Sequence, residues 1–296
     1  MTGSRTPTVS VVVISKNEPA LEATLRTLAA SEFSDHEVIV VDASSRRLDA
    51  IADANPHVVW VPFTPPPGVR VSIPHQRNRG VAAASGRVIA FTDAGCIVTP
   101  DWLATLVDPI LAGIEEVTCG PALGSQLYDP DIGREPRYVT EAPTINLAFT
   151  REAFDAVGGF DESFEYGSDV DFTWRLHDTG RRILSLPGAR IHHDWGGRAR
   201  QRRRSMQYGA ARVRLYAKHR ARIRGGVVRD PMTFAYPLYV LGLPLTLRFR
   251  WYPLLLVVPL LRARKHPKPL TVVADHLAFG VGGAREVVRL ARRAAP

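Results

Sequence analysis

A chain of 296 residues with 45% hydrophobic and 23% charged side chains is long and apolar enough to bury a core without disulfides or structural metal. Its two cysteines, Cys96 and Cys119, lack the spacing of a zinc site or a disulfide framework, so we expect a reducing compartment. The net charge is +9. The apolar run near the N-terminus is too short and wrongly flanked for a secretory signal, so we expect a core strand there.

The first third of the chain alternates short β-branched runs with helical patterns. The pattern predicts strands at residues 9–14, 36–41, 58–61 and 87–92, and helices at residues 19–30, 46–54 and 77–85. Strands that are buried on both faces and separated by helices indicate an α/β fold with a mainly parallel central sheet. Ligands bind at the carboxyl ends of such strands. Polar residues stand at three of these ends, at residues 15–18, 42–45 and 93–95.

Two longer connections and two further helices follow from the same reasoning. Residues 62–68 and 120–136 are Pro-rich or polar loops, which fit either lids beside a site or plain surface connections. Residues 151–157 and 172–179 are predicted helices, because glycines follow each of them.

The composition changes sharply after Gly197. Residues 1–197 carry 16 basic and 26 acidic residues, a net charge of −10, whereas residues 198–296 carry 22 basic and 3 acidic residues, a net charge of +19. We therefore predict two domains, 1–197 and 198–296. A basic region of this kind indicates a membrane surface or nucleic acid as partner, a solvated face being the alternative.

The C-terminal region also contains apolar segments. Residues 198–229 include 12 basic and no acidic side chains. Residues 234–247 and 251–261 are apolar, interrupted by prolines and separated by arginines, and each is shorter than the roughly 20 residues of a spanning helix. This pattern favours interfacial or re-entrant membrane insertion, and a hydrophobic core hairpin is the alternative.

Two acidic motifs are candidates for chemistry. Asp93, directly after a buried strand, has the position either to bind a divalent cation on a diphosphate or to cap the next helix. Asp169 and Asp171 are two residues apart at the start of an amphipathic pattern and therefore point in different directions. One of them suits the helix N-terminus and the other suits a general base in a cleft, unless both are caps.

Six motifs in this order resemble the family 2 glycosyltransferases with the GT-A fold, over residues 8–197. They are VSVVVISKNE at 9–18, VIVVDASS at 38–45, QRNRGVAAASG at 76–86, FTDAG at 91–95, TINLAF at 144–149 with GGFDE at 158–162, and GSDVD at 167–171. The resemblance implies a nucleotide-sugar-binding domain, followed here by a basic, partly apolar helical extension.

The resemblance also implies roles for individual residues. It makes Asp169 the catalytic base, and it implies donor binding by Ser15, Asn17, Glu18, Asp42, Arg77 and Asp93. It implies acceptor binding by Asn146, Trp174 and Arg175, and Mg²⁺ or Mn²⁺ bound by Asp93 and His193. Two positions depart from the family pattern. Gly95 replaces the second acid of the usual Asp-x-Asp metal motif, and Ser168 stands where relatives commonly carry Glu.

The expected function is inverting transfer of a hexose or deoxyhexose from a nucleoside-diphosphate sugar to a hydroxyl of a lipid-linked, glycan or cell-envelope acceptor. The expected place is the cytoplasmic face of the cell membrane, as a peripheral or monotopic protein on anionic lipid. A nucleotidyltransferase is an alternative, although it would need a Gly-rich phosphate loop where residues 15–18 have no glycine. A second alternative is a nucleic-acid-binding protein that uses residues 198–229. The apolar segments next to these residues disfavour that alternative, so we expect no nucleic acid as partner.

Overall fold

The computed structural model describes residues 6–124 and 135–294, and the chain forms two compact units, Met1–Trp195 and Gly196–Pro296. The division falls two residues before the boundary that the composition predicts. Each unit buries its own set of side chains.

The N-terminal unit is an α/β structure. Its strands are β1 (Val9–Ser15), β2 (His36–Asp42), β3 (Val59–Pro62), β4 (Val88–Asp93), β5 (Cys96–Val98), β6 (Val117–Cys119), β7 (Ala122–Leu123), β8 (Arg137–Val139), β9 (Asn146–Thr150), β10 (Ile183–Ser185) and β11 (Ile191–His193). Its helices are α1 (Leu21–Ala29), α2 (Asp49–Ala54), α3 (Ile73–Ala83), α4 (Trp102–Leu111), α5 (Arg151–Ala156) and α6 (Ser168–Asp178).

Eight strands form the central sheet, in the order β3-β2-β1-β4-β9-β6-β10-β8. Strands β8 and β9 run against their neighbours, and the other six share one direction. The prediction of a mainly parallel sheet is therefore confirmed. A smaller sheet has the order β5-β11-β7.

Both faces of the central sheet are covered, which explains why its strands are continuous apolar runs. On one face Val11 and Val13 of β1 join the core that contains Leu25 of α1 and Trp102 of α4. On the other face Val12 joins a core built around five phenylalanines. These are Phe91, Phe149, Phe154, Phe160 and Phe172, with neighbouring ring centroids 4.4–6.5 Å apart.

Four helices begin elsewhere than predicted. Helix α1 begins at Leu21 rather than at residue 19, and α3 begins at Ile73 rather than at residue 77, with a proline in its first turn. For the other two, the reason lies in the backbone. Helix α2 begins at Asp49 rather than at residue 46, because Ser45 and Arg46 have φ angles of 57° and 72°. Helix α6 begins at Ser168 rather than at residue 172, because Gly167, with φ 83°, turns the chain directly into the helix. The predicted loop at residues 120–136 contains β7, and its residues 125–134 lie outside the described part of the chain.

The C-terminal unit is helical. Its α-helices are α7 (Arg198–Lys218), α8 (Ile223–Arg229), α9 (Met232–Leu241), α10 (Val257–Arg262) and α11 (Pro269–Ala294), and short 3-10 helices lie at Arg220–Arg222, Leu243–Leu247, Tyr252–Leu256 and Ala263–Lys265. Glycines let α7 and α11 approach closely. A Cβ on Gly209 would lie 1.9 Å from the carbonyl oxygen of Phe279, and one on Gly282 would lie 1.8 Å from that of Met206. Among the described helices, none has the length and hydropathy needed to cross a bilayer.

Candidate active site

The structure brings three of the predicted donor-binding residues to one edge of the sheet. Ser15 pairs with Asp42 across β1 and β2, and Asp93 pairs with Ile14 across β1 and β4. Because parallel strands lie about 4.8 Å apart and run in the same direction, these side chains belong to adjacent strand ends. This edge is where ligands bind in open α/β sheets.

The Asp42 carboxylate is held in a fixed position by Ser44. Its two oxygens accept hydrogen bonds from the backbone N–H and the hydroxyl of Ser44, each at 2.8 Å. The backbone oxygen of Asp42 accepts from the N–H of Phe63 at 2.8 Å, so the loop at residues 62–68 starts beside this group. A carboxylate offers about four lone-pair positions, so Asp42 retains acceptor capacity for a ligand.

The turn after β1 holds the other predicted donor-binding residues. Asn17 has a φ of 59°, in the left-handed region. The Glu18 carboxylate accepts from the backbone N–H of Ala20 at 3.3 Å, at the start of α1. Ser15 is buried, and its hydroxyl has no hydrogen-bond partner among the described residues. A buried hydroxyl without a partner is costly in an apo protein and indicates a place where a ligand completes the network.

Arg77 connects the donor side of the site to the start of α6. Its side chain is 6% exposed, and Nη1 donates to the hydroxyl of Ser168 at 3.0 Å. The guanidinium carbon lies 5.5 Å from the ring centroid of Phe160. In the described part of the chain, its Nε finds no acceptor. The sequence did not reveal this pairing, since the two residues are 91 positions apart.

The two acids of α6 have different surroundings. Asp171 is fully buried, and its carboxylate accepts from Nε of Arg175 at 2.8 Å. Asp169 is half-buried in the first turn of α6, where one carboxylate oxygen accepts from the N–H of Val170 at 2.9 Å. The helix N-terminus favours an ionised carboxylate. Asp171 is thus a structural ion pair, and Asp169 is the acid that solvent reaches.

Asn78 fixes the loop that precedes α6, a role that sequence reasoning missed. Its amide donates to the backbone oxygen of Phe160 and accepts from the N–H of the same residue, both at 2.9 Å. It also donates to the Glu162 carboxylate at 2.9 Å. Helix α3 therefore holds this loop, and through Arg77 it also holds the first residue of α6.

Of the two predicted cation ligands, Asp93 is the last residue of β4, and His193 lies beside the turn that follows it, between β4 and β5. Because β5 pairs with β11, the ring of His193 lies within 3.7 Å of the position that a Cβ on Gly95 would occupy. Its Nδ1 is 3.7 Å from Sγ of Cys96. Burial, and secondly the charge of Asp93, raise the pKa of Cys96 to about 12, so this residue is a thiol at neutral pH. Of the adjacent residues His192 and His193, it is therefore His193 that lies beside the motif of Asp93.

The structure places Asn146, which was predicted to bind the acceptor, in a buried hydrogen-bond network. Its side chain is fully buried. The amide oxygen accepts from the indole of Trp102 at 3.0 Å, and the amide nitrogen donates to the backbone oxygens of Pro121 and Ala189 at 3.1 and 2.7 Å. Both amide protons are used, so this residue has no donor left for a substrate.

The structure places Trp174 and Arg175, which were also predicted to bind the acceptor, in contacts within the fold. Trp174 is 4% exposed, and its indole donates to the Glu141 carboxylate at 3.1 Å. Arg175 pairs with Asp171 and donates to the backbone oxygens of Val157 and Gly159, the latter at 2.7 Å. Its three guanidinium nitrogens are therefore all used to hold α6 against the end of α5.

A mixed sheet flanked by helices, with carboxylates at the ends of its strands, is the architecture of the GT-A glycosyltransferases. The mannosyltransferase PcManGT from Pyrobaculum calidifontis, solved in complex with GDP-Man and Mn²⁺, matches with a TM-score of 0.71 at 18% identity, covering 96% of this chain and 88% of that one. GalNAc-T7, solved with UDP, GalNAc and Mn²⁺, matches with a TM-score of 0.52 at 18% identity, covering 64% and 44% of the two chains. These likenesses show that the N-terminal unit has the GT-A fold.

The family follows from the sequence match. Residues 10–209 match the family described as glycosyl transferase family 2, and the chain belongs to that family. The pre-mycofactocin glycosyltransferase of Mycobacterium tuberculosis is 29% identical over 188 residues, which cover 56% of this chain and only 39% of that relative. The glucosyl-dolichyl phosphate glucuronosyltransferase of Haloferax volcanii is 24% identical over 219 residues, covering 62% and 68%.

Proposed function

We propose that this glycosyltransferase moves a hexose or deoxyhexose from a nucleoside-diphosphate sugar to an acceptor hydroxyl, with inversion at the anomeric carbon. The single observation that carries the proposal is the difference between the two acids of α6. Asp171 is neutralised by Arg175 in the interior, whereas Asp169 remains open to solvent beside Ser168, the residue that Arg77 contacts. One open carboxylate next to a buried cation suits a base beside a departing diphosphate.

In this reaction the acceptor oxygen forms a bond to the anomeric carbon while the bond from that carbon to the diphosphate oxygen breaks. Asp169 takes the proton of the acceptor hydroxyl. Arg77 offsets the negative charge that grows on the leaving diphosphate, because its Nε has no partner among the described residues and its surroundings are buried. Ser15 and Asp42 bind the nucleoside at the adjacent strand ends.

Asp93 and His193 would hold a divalent cation, Mg²⁺ or Mn²⁺. No group of three or more His, Cys, Asp or Glu side chains with metal-site geometry occurs among the described residues. Two protein donors fit a hard cation that takes its other ligands from the diphosphate and water. When bound, such a cation supplies further stabilisation of the leaving diphosphate.

The proposed acceptor is a lipid-linked, glycan or cell-envelope hydroxyl. The name of the Haloferax volcanii relative includes a lipid phosphate, glucosyl-dolichyl phosphate, which supports a lipid-linked acceptor. Family membership favours sugar transfer over a nucleotidyltransferase, and residues 15–18 have no glycine with which to cradle a triphosphate.

The decisive variant is Asp169→Asn. It keeps the size of the side chain and removes the base, so we expect kcat to fall roughly 100- to 10,000-fold while nucleotide binding is retained. The measurement is nucleoside diphosphate release from a panel of UDP-, GDP- and dTDP-sugars, with and without Mn²⁺ or Mg²⁺.

A matched control is Glu152→Gln. Glu152 is an exposed acid in the first turn of α5, so its replacement removes a similar charge from a similar helix position. We expect normal turnover for this variant. Turnover of Asp169→Asn within a factor of about 3 of the control would remove Asp169 from the proposed role.

A further inference from the structure

One stretch of the C-terminal unit exposes an unusual density of apolar side chains. Residues 238–261, here called the apolar segment, expose twelve large hydrophobic side chains, whereas the described part of the N-terminal unit exposes four. The twelve are Leu238, Leu241, Leu243, Leu245, Leu247, Phe249, Trp251, Leu254, Leu255, Val257, Val258 and Leu261. A contiguous run of this size marks an interaction surface, and it is not the core of a hairpin.

Short helical elements present these side chains. The 3-10 helices Leu243–Leu247 and Tyr252–Leu256 each rise only about 10 Å, against the roughly 30 Å of a bilayer core. Tyr252 fixes the turn between them to the end of α9, because its ring stacks on Tyr239 at 5.1 Å and its hydroxyl donates to the backbone oxygen of that residue at 2.9 Å. The apolar segment is therefore a folded element that reaches into one leaflet at most.

The charged residues in and around the apolar segment indicate what kind of partner it binds. Residues 231–274 contain no acidic side chain, whereas Arg248, Arg250, Arg262, Arg264 and Lys265 within this stretch are all exposed. A second copy of the chain would place like charges against each other. Nucleic acid would use the cations but leave the twelve apolar side chains in water. An anionic lipid surface accommodates both, with apolar side chains among the acyl chains and arginines at the headgroups.

We propose that the apolar segment inserts into one leaflet of an anionic bilayer and anchors the protein there as a monotopic membrane protein. Anionic lipids are typical of the cytoplasmic leaflet, which is where such an anchor would hold the chain. The anchor deepens the proposed function, since it would hold the transferase on the surface that carries a lipid-linked acceptor. The anchoring itself requires neither donor nor acceptor.

The test uses the full chain and Trp251, which is 70% exposed in the middle of the apolar segment. Vesicles of phosphatidylcholine and phosphatidylglycerol in equal parts, with bromine on the acyl chains, should quench tryptophan fluorescence. Trp251→Phe should abolish the quenching. The matched control is Trp60→Phe, which removes a half-buried tryptophan of the N-terminal unit and should leave the quenching unchanged.

Two surface substitutions measure the apolar contribution. Leu247, 94% exposed, contributes to insertion, so Leu247→Asp should weaken vesicle binding about ten-fold or more. Ile114→Asp changes a side chain that is 68% exposed in the N-terminal unit and should bind vesicles normally. Arg248→Gln should weaken binding to the anionic vesicles about five-fold.

Three results would overturn the proposal. They are vesicle binding that high salt fully reverses without any acyl-chain quenching, equal effects of Leu247→Asp and Ile114→Asp, and binding to a single-stranded RNA oligonucleotide in place of vesicles. Because no sugar donor is present in these assays, their failure would leave the proposed transferase activity to its own test with Asp169→Asn.

Discussion

Two arginines of the N-terminal unit, the buried Arg77 and the half-buried Arg175, should respond in opposite ways to the same substitution. Arg175 lies in an ion pair with Asp171 and donates to two backbone oxygens. Arg77 donates to the neutral hydroxyl of Ser168, and in the described part of the chain it has no carboxylate partner. If Arg77 is retained for a ligand, its loss should impair binding and spare the fold.

For Arg77→Met, the free energy of unfolding should stay the same or rise by about 1–3 kcal/mol, because burying an unpaired charge costs several kcal/mol that methionine avoids. Nucleotide binding should weaken at the same time. A hydrogen bond to a charged group is worth about 1.5–3 kcal/mol, which corresponds to a loss of roughly 10- to 150-fold in affinity for a diphosphate.

For Arg175→Met, the opposite result is expected. This change removes one side of the ion pair of the fully buried Asp171, and breaking a buried pair in this way costs about 3–5 kcal/mol. For a unit of this size each kcal/mol shifts Tm by about 2–4 °C, so Tm should fall by roughly 6–20 °C. We expect any loss of activity in this variant to follow from unfolding, since all three guanidinium nitrogens of Arg175 already donate within the fold.

Thermal unfolding of both variants, with and without UDP or GDP in the presence of Mn²⁺, separates the two cases. A bound nucleotide raises the Tm of the wild-type chain by mass action. We expect this rise to disappear in Arg77→Met, whose unliganded Tm is normal or higher. The reasoning is refuted if Arg77→Met unfolds as early as Arg175→Met, or if it keeps the full nucleotide-induced rise.

Two further predictions concern the C-terminal unit. Gly282→Ala should lower its stability to denaturant by about 1–3 kcal/mol, because the added Cβ meets the Met206 carbonyl oxygen, whereas Gly225→Ala has open space and should be neutral or stabilising. Burial raises the pKa of Glu286, but Arg289 and Arg214 outweigh it, so the pKa lies below its ordinary value of 4.5. The ionised Glu286 carboxylate therefore stabilises the unit above pH 4.5, and this stabilisation is lost as the pH falls below that value. In acid unfolding experiments, the stability of the Glu286→Gln variant should fall less between neutral and acidic pH than that of the wild-type chain.

The fold was largely predictable, because the buried strands of a parallel sheet have a recognisable sequence pattern, a run of apolar β-branched residues. The four predicted strands all exist, with ends shifted by one residue. Helix starts were less predictable because they depend on single backbone angles. Nothing in the residue types at 45 and 46 required the left-handed conformations that delay α2. Gly167 gave a usable signal, since glycine favours a positive φ before a helix.

The site was predictable where it depends on local spacing and not where it depends on distant contacts. The spacing of Asp171 and Arg175 is that of a helical ion pair, a signal that could have distinguished Asp169 from Asp171, although Arg175 was assigned to the acceptor instead. The hydrogen-bond network of Asn146 could not be predicted, because its partners are 25 to 44 positions away in the chain. A polar side chain within an apolar strand is as compatible with a structural network as with a substrate contact.

The backbone at Gly95 accounts for the missing second acid of the metal motif, and the ring of His193 lies beside that position. Gly95 has a φ of 93°, a conformation that aspartate adopts only with strain. The same turn directs β5 into its pairing with β11, and that pairing brings the ring of His193 beside Gly95. The turn at Gly95 therefore disfavours a second carboxylate, and the strand pairing that follows it brings in the imidazole of His193 from about a hundred residues later in the chain. If Asp93 and His193 bind the cation together, the chain has exchanged one local ligand for a distant one.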